Sequence, residues 1–431
     1  MTRHFAQVAA LKSRCFWLDG GGAQEWAGTT SLIGWLEDSD PSLTYSAARR
    51  EVTLHRDGRA EVIGTDIFDA LAAFMGEGGQ WFGYFGYACR TDLPARPSAD
   101  VPDAVWMRPS YVRRSEAGEL LVPGSSERSD GAAAAFRTFG RSGEVPTEYA
   151  QAFRQVQDQL LAGNSYETNL TYRMTRHSTD DPAEIYLRLR GLNPAPYGGY
   201  FQHDVPGASA WLLSSSPERY ALITAPDRTG DRWIETRPIK GTAPRGATPE
   251  EDADLAHWLQ TDPKTRAENL MVLDLLRNDV GMVAEPGTVS VPDLMKVESY
   301  ASVHQLVSTV RGRLRDGVDT MAALRALFPA GSMTGAPKVR TMEIIDAVET
   351  TARGAYSGAF GWISSDGRAD LGVIIRTLTS ADARTWSLGV GGGITVRSTV
   401  DEEYAEAELK AVRLLAALGE SWPEVRAPGA L

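Results

Sequence analysis

Two hydrophobic periods alternate along the chain. Glu51-Val52-Thr53-Leu54-His55 and Ala60-Glu61-Val62-Ile63 switch character every second residue, with Arg56-Asp57-Gly58 between them. Strand, Asp-Gly, strand predicts a hairpin, because Asp-Gly tolerates the positive φ of a tight turn. Over Asp66–Met75 the spacing of Phe68, Leu71 and Phe74 predicts a helix. The run Gly79–Tyr87 mixes aromatics with repeated glycine and predicts a buried strand that another backbone approaches closely. A further helix is predicted from an N-cap at Thr147 through Phe153, Val156 and Leu160-Leu161 to Gly163. Beyond it, predicted strands (Tyr166–Arg173, Ala210–Ser214, Tyr220–Thr224, Trp233–Arg237) alternate with predicted helices (Pro182–Leu192, Pro249–Gln260, Lys264–Asn278). The C-terminal third continues the alternation, without a 20–50-residue repeat. The pattern predicts an α+β fold of large sheets covered by helices.

Length and charge narrow this picture. The chain has 431 residues, more than one average domain, and a Ser-, Gly- and Ala-rich stretch at 114–146 is the best linker candidate. Region 1–145 is expected to complete the sheets of a catalytic region 146–420. The net charge of −12 argues against nucleic acid as the partner. No apolar run reaches the ~18 residues of a membrane span, and Met1–Leu11 lacks the apolar core of a signal peptide. Two cysteines, Cys15 and Cys89, form no disulfide framework or metal site by themselves, so a reducing, cytoplasmic compartment is expected.

Several stretches could carry chemistry. Lys240, in Arg237-Pro238-Ile239-Lys240-Gly241-Thr242, is a charge among apolar neighbours; it reads as a nucleophile or as a solvated loop lysine. Glu218 follows Pro217 at a strand end and reads as a general acid or as a surface glutamate paired with Arg219. Glu268 lies on a helix whose Leu270–Leu276 run predicts deep burial, which demands a partner for the acid. Glu403 and Glu406 share a helix face; they suit either a hard cation or the helix dipole. Arg376 lies in an apolar, strand-like run and must meet a carboxylate of the protein or of a ligand. His304 lies in another apolar strand and reads as a core histidine or a catalyst. Gly331–Lys338 fails the phosphate-loop pattern, and Gly389–Ile394 lacks a dinucleotide context, although a Gly-rich loop there could offer bare N–H groups to a carboxylate.

Taken together, the stretches Ser216-Pro217-Glu218-Arg219, Pro238-Ile239-Lys240-Gly241-Thr242, Ala267-Glu268-Asn269-Leu270-Met271-Val272-Leu273-Asp274, Arg277-Asn278-Asp279, Gly335-Ala336-Pro337-Lys338 and Glu403-x-x-Glu406-x-x-x-Lys410 resemble the chorismate-utilising enzymes. That family includes the anthranilate, aminodeoxychorismate, isochorismate and salicylate synthases. The resemblance spans about residues 147–416, with weaker similarity at Phe16–Asp19 and Gly83–Tyr87. It implies the anthranilate-synthase-like fold of stacked, mainly antiparallel sheets with helices outside. Lys240 is similar to the lysine of the aminodeoxychorismate branch, where anthranilate synthases carry alanine. Water-adding members place a lysine where this chain has Glu167, and an acid often stands where this chain has Thr265.

The implied reaction is amination of chorismate at C4 to 4-amino-4-deoxychorismate, a precursor of para-aminobenzoate and folate. Lys240 would attack C2 and Glu218 would protonate the leaving hydroxyl. Glu268, Glu403 and Glu406 would hold Mg²⁺. Arg376, Tyr356 and the N–H groups of Gly391, Gly392 and Gly393 would hold the enolpyruvyl carboxylate, with Gly241, Thr242, His304 and Lys410 also lining the substrate site. Neither cysteine has the setting of a glutaminase nucleophile, so ammonia is expected from a separate glutamine amidotransferase subunit. The family also contains anthranilate and 2-amino-2-deoxyisochorismate synthases, which add ammonia at C2, and tryptophan-binding N-terminal regions. A decayed, tryptophan-sensing scaffold is a third reading, which the acids still present at 218, 268, 403 and 406 oppose.

Overall fold

The computed structural model describes residues 1–20, 30–116, 144–300 and 303–420; most of the linker candidate, with Gly124-Ser125-Ser126 and Ala132–Ala135, lies outside them. Two sheets organise the described residues. The first has nine strands, in the order Gly335–Ala336, Glu167–His177, Thr385–Ile394, Thr377–Ser380, Ala210–Ser216, Tyr197–His203, Arg14–Asp19, Thr30–Trp35 and Tyr111–Glu116. The second has twelve. Its path runs Ile239–Pro244, Val303–Arg313, Trp233–Arg237, Arg219–Ile223, Ala369–Val373, Ala359–Ser364, Gln80–Phe85, Ala104–Met107, Ser42–Ser46, Glu51–Arg56 and Arg59–Gly64, with Ser290–Ser299 also paired to Val303–Arg313. The strand pairs within both sheets are antiparallel. The fold is thus α+β, with stacked antiparallel sheets and helices outside.

Alternation of side chains along each strand builds the layers. Trp17, Leu213 and Trp386 of the nine-stranded sheet point outward, onto helices Thr2–Leu11, Pro182–Leu192 and Val400–Ala417. Trp81, Ile234 and Leu371 of the twelve-stranded sheet point outward on the other side, onto Ile67–Met75, Pro263–Gly281 and Thr320–Leu327. The residues between them in sequence, including Phe16, Phe82, Phe201, Leu212 and Phe360, meet between the sheets. N-terminal strands belong to both sheets: Arg14–Asp19 pairs with Tyr197–His203, and Gln80–Phe85 pairs with Ala359–Ser364.

Most predicted elements are present, with informative differences. The hairpin turns on Asp57 and Gly58, both at positive φ (52° and 68°). Gly83 lies so close to Val105 O that a Cβ would overlap it, the close backbone approach expected of that strand. Asp66 is the cap of helix Ile67–Met75, its carboxylate accepting from Phe68 N and Asp69 N. Thr147, expected as a cap, is the first residue of helix Thr147–Leu161, and Pro146 precedes it without a side-chain cap. Helix Pro263–Gly281 is half-buried rather than deeply buried: Val272, Leu273 and Leu276 face the core, while Leu270 is exposed. The apolar run there overstates burial because Leu is also a strong helix former.

Candidate active site

Two of the places where the chain crosses between the sheets lie side by side, and each carries a candidate residue. At the first, strand Ala210–Ser216 passes through Pro217-Glu218 into Arg219–Ile223 of the other sheet. At the second, Ala369–Val373 passes through Ile374–Arg376 into Thr377–Ser380. The crossings are hydrogen-bonded together, Val373 N donating to Glu218 O at 2.9 Å and Ser215 N to Arg376 O at 3.2 Å. Arg376 is therefore not inside a strand, as its apolar neighbours suggested; it occupies a left-handed bend with φ 50°. Apolar residues flank it because both connected strands are buried.

Burial pushes the Glu218 carboxyl up to about 7, against the Ser332 hydroxyl that donates to Oε1 at 2.6 Å and the positive charges of Lys240 and Arg376. Burial, together with nearby Arg413, pushes Arg376 down to about 10. No protein acceptor hydrogen-bonds the Arg376 guanidinium among the described residues; Glu218, Tyr300 and Glu406 act on it as charges only. A half-buried guanidinium without an acceptor suits an anion.

Lys240 faces the first sheet from the edge strand Ile239–Pro244. Its ammonium donates to Glu167 Oε1 on strand Glu167–His177, and the two side chains are 14% and 3% exposed. Burial disfavours the Lys240 charge, but Glu167, Glu268 and Glu406 outweigh that and hold it above the ordinary lysine value. Two glycines make the approach sterically feasible. A Cβ at Gly393 would overlap Glu167 Oε1 and lie 2.6 Å from Lys240 Nζ. Gly241, at φ 96°, sits against the Thr265 methyl, where a Cβ would overlap it. Thr265 thus packs the lysine loop onto helix Pro263–Gly281.

Gly391, Gly392 and Gly393 are not a free loop. They lie in strand Thr385–Ile394, opposite Thr171, Leu170 and Asn169. The neighbour on the other side, Thr377–Ser380, pairs only as far as Leu388, so the edge of the glycine run toward Arg376 carries no strand partner. Bare backbone is present, created by where a strand stops rather than by a loop.

The chorismate-binding enzyme family matches residues 13–416. The chain belongs to this family. It is 47% identical over 273 residues to an aminodeoxychorismate synthase of Streptomyces pristinaespiralis, covering 63% of this chain and 37% of that protein. It is 46% identical over 268 residues to aminodeoxychorismate synthase component 1 of Klebsiella aerogenes, covering 62% of this chain and 57% of that one. An anthranilate synthase component 1 of Haloarcula marismortui is 40% identical over 360 residues, covering 83% of this chain and 68% of that one. The chain thus spans well under two thirds of the two aminodeoxychorismate synthases. Anthranilate synthase component I from Streptococcus pneumoniae superposes with a TM-score of 0.70 at 25% identity, covering 90% of this chain and 92% of that one.

In this chorismate-binding enzyme the expected acids surround Lys240. Burial pushes Glu268 up to about 7, with Lys240 pulling it down and Glu167 and Glu403 pushing it up. Glu403 is raised by burial and by Glu406, and accepts from Ser398 Oγ at 2.6 Å. Glu406 is lowered chiefly by Lys410, which it meets at 2.8 Å; Lys410 also donates to Gly391 O at 2.8 Å. Among the described residues no three acidic, histidine or cysteine side chains already enclose an ion position. The donor chemistry nevertheless suits a hard divalent cation, since mutually repelling carboxylates from two helices supply only oxygen.

His304 is committed to the protein. Its Nδ1 pairs with Ser299 Oγ at 2.8 Å and its Nε2 with Asp252 Oδ1 at 3.0 Å. Thr242 lies opposite Gln305 on the same edge. Tyr356 is buried, with the Arg173 guanidinium 4.6 Å from its ring centre. Ser332 and Ser398, which hold Glu218 and Glu403, carried no pattern of their own and emerge only from folding. No helix among the described residues is long and apolar enough to cross a membrane.

Proposed function

We propose that this chain aminates chorismate at C4, giving 4-amino-4-deoxychorismate, the precursor of para-aminobenzoate. The observation that carries this reading is the placement of Lys240 and Glu218, a half-buried amine and a buried acid pushed up to about 7, in one gap between the sheets beside Arg376, whose guanidinium has no acceptor among the described residues. The identity of the Streptomyces and Klebsiella relatives as aminodeoxychorismate synthases supports it. Arg376 and Tyr356, with the open glycine edge, orient the enolpyruvyl carboxylate. The Lys240 amine attacks C2, both ring double bonds shift and the C4–O bond breaks. Glu218 gives its proton to the departing hydroxyl, which leaves as water. Ammonia then bonds to C4, both double bonds shift back and the C2–N bond breaks. The Glu218 carboxylate takes the surplus proton from the new amine, so it is ready for the next turnover. A carboxyl near 7 suits both directions of transfer at neutral pH.

Glu268, Glu403 and Glu406 would hold Mg²⁺, which when bound neutralises the ring carboxylate. Ammonia comes from a separate glutamine amidotransferase subunit, a reading that the "component 1" of the Klebsiella name favours, and the cytoplasm is the expected compartment.

A second reading, amination at C2 as in anthranilate synthases, is favoured by the longer match to the Haloarcula protein. Incubation with chorismate, Mg²⁺ and ammonium, followed by assignment of the aminated carbon, separates the two. A C4 amine supports the proposal, and a C2 amine overturns it.

A further inference from the structure

A reactive amine must be uncharged, yet the Lys240 ammonium is surrounded by carboxylates. Its proton needs a destination before C2 can be attacked. Four acids face Lys240 from the elements packed around it: Glu167 on strand Glu167–His177, Glu218 at the sheet crossing, Glu268 on helix Pro263–Gly281 and Glu406 on helix Val400–Ala417. Three have other commitments: Glu218 holds Ser332, Glu406 holds Lys410, and Glu268 lies 4.0 Å from Lys264. Only Glu167 hydrogen-bonds the Lys240 nitrogen, and no second donor reaches its carboxylate among the described residues.

Glu167 is also rigidly placed. Its backbone pairs with Ala336, and the next residue, Thr168, lies between Gly335 and Ile394 of the neighbouring strands. The missing Cβ at Gly393 leaves room for the carboxylate to meet the amine.

Resting on the functional reading above, the geometry points to Glu167 as the base that takes the Lys240 proton before attack on C2 and returns it when the lysine departs. The transfer converts ammonium and carboxylate into amine and carboxylic acid. The amine's lone pair then forms the C2–N bond. When ammonia has bonded at C4, the C2–N bond breaks with its electron pair on nitrogen, and Glu167 returns the proton to the freed amine. Glu218 separately serves the leaving hydroxyl and the incoming ammonia, so each acid ends the cycle as it began.

A simple electrostatic clamp makes the opposite forecast. If Glu167 only holds Lys240 charged, Glu167→Gln frees the amine and accelerates the reaction. If Glu167 is the base, Glu167→Gln lowers kcat by at least ~10²-fold, the usual scale of general base catalysis, with KM for chorismate unchanged. Formation of the Lys240–substrate adduct without ammonia, followed by mass spectrometry, should slow by the same factor. Glu167→Asp should recover part of the rate. A kcat for Glu167→Gln at or above wild type would overturn the assignment, as would a loss confined to KM. Should Glu167→Gln fail to fold, Glu167→Asp decides alone: slowed adduct formation with intact chorismate binding supports the base, and a wild-type rate overturns it. Wild type that aminates chorismate at a carbon other than C4 overturns the functional reading itself. Wild type that aminates C4 while Glu167→Gln matches it removes only Glu167.

Discussion

The same two sheets face each other over two very different stretches. In one, Phe16 stacks on Phe82 with ring centres 4.1 Å apart, Phe201 meets Phe360 edge-on at 6.1 Å, and these rings are at most 2% exposed. In the other, Glu167, Lys240, Glu218, Arg376 and Glu403 occupy the gap. The three acids are nearly as buried as the rings, Lys240 and Arg376 are half-buried, and the consequences differ. Rings satisfy one another by contact, and removing them from water stabilises the fold. Charges removed from water need partners, and here Arg376 has no acceptor among the described residues, while Glu218 and Glu268 retain protons at pH values where exposed carboxylates have lost them. The dry stretch joins the sheets; the charged stretch is completed by what binds there.

This contrast can be broken in four ways, beginning with the largest effect. Phe82→Ala opens a cavity in the dry stretch and should cost about 3–5 kcal/mol in chemical denaturation, with the aminated carbon unchanged. A change of regiochemistry would mean the two stretches are coupled. Lys240→Ala should lower C4 amination at least ~10²-fold, about 2.7 kcal/mol of barrier, while chorismate still binds. Retention of the 4-amino product at near wild-type rate would leave Lys240 as a structural partner of Glu167 alone.

The third test uses pH, to which the two stretches respond with opposite sign. Glu218 and Glu268 are raised from 4.5 to about 7 by burial, so their contribution to stability is full below about 4.5 and is lost as pH rises through 7. His203, at the Ser42 bridge between the sheets, is lowered by burial from 6.5 to about 3. Its contribution is present above 6.5 and is lost as pH falls toward 3. Melting temperatures across pH in metal-free buffer should therefore flatten between 4.5 and 7 in Glu268→Gln, and below 6.5 in His203→Gln. The rate should also fall as pH rises through about 7, because the protonated form of Glu218 is the active one; Glu218→Gln should abolish that dependence along with most activity. The smallest effect is on melting with Mg²⁺. Saturating Mg²⁺ should raise the wild-type melting temperature by a few degrees, from roughly 2.7 kcal/mol of linkage at a hundredfold excess over Kd, and EDTA should reverse it. An equal rise in Glu268→Gln would move the ion away from this cluster.

Much of the architecture was legible in the chain. The Asp57-Gly58 hairpin, the close-approach strand around Gly83 and the helices over Pro182–Leu192 and Pro249–Thr261 follow from local periodicity and turn chemistry. The candidate residues were also legible, because the runs around Glu218, Lys240, Glu268 and Glu403 are long and occur in order. Their surroundings were less so. Arg376 looked like a strand residue, since flanking apolar runs cannot reveal that the two strands belong to different sheets. The glycine run looked like a loop, since glycine content does not report where the adjacent strand ends. His304 gave no sign that Asp252 and Ser299 would take both its nitrogens.

By itself, then, the sequence determined the alternation that sorts side chains onto the outer and inner faces of each strand, the turns, and which ionisable groups the chain carries. Those properties depend on neighbours two to four positions away. Tertiary structure alone decided which charges meet. Glu167 and Lys240 lie 73 residues apart, and Ser332 and Glu218 lie 114 apart. Such pairs form because two sheets cross and helices close over the gap. Whether a carboxyl is held as an acid, or an amine as an ammonium, depends on burial and charge within a few ångströms, and only the folded chain sets those distances.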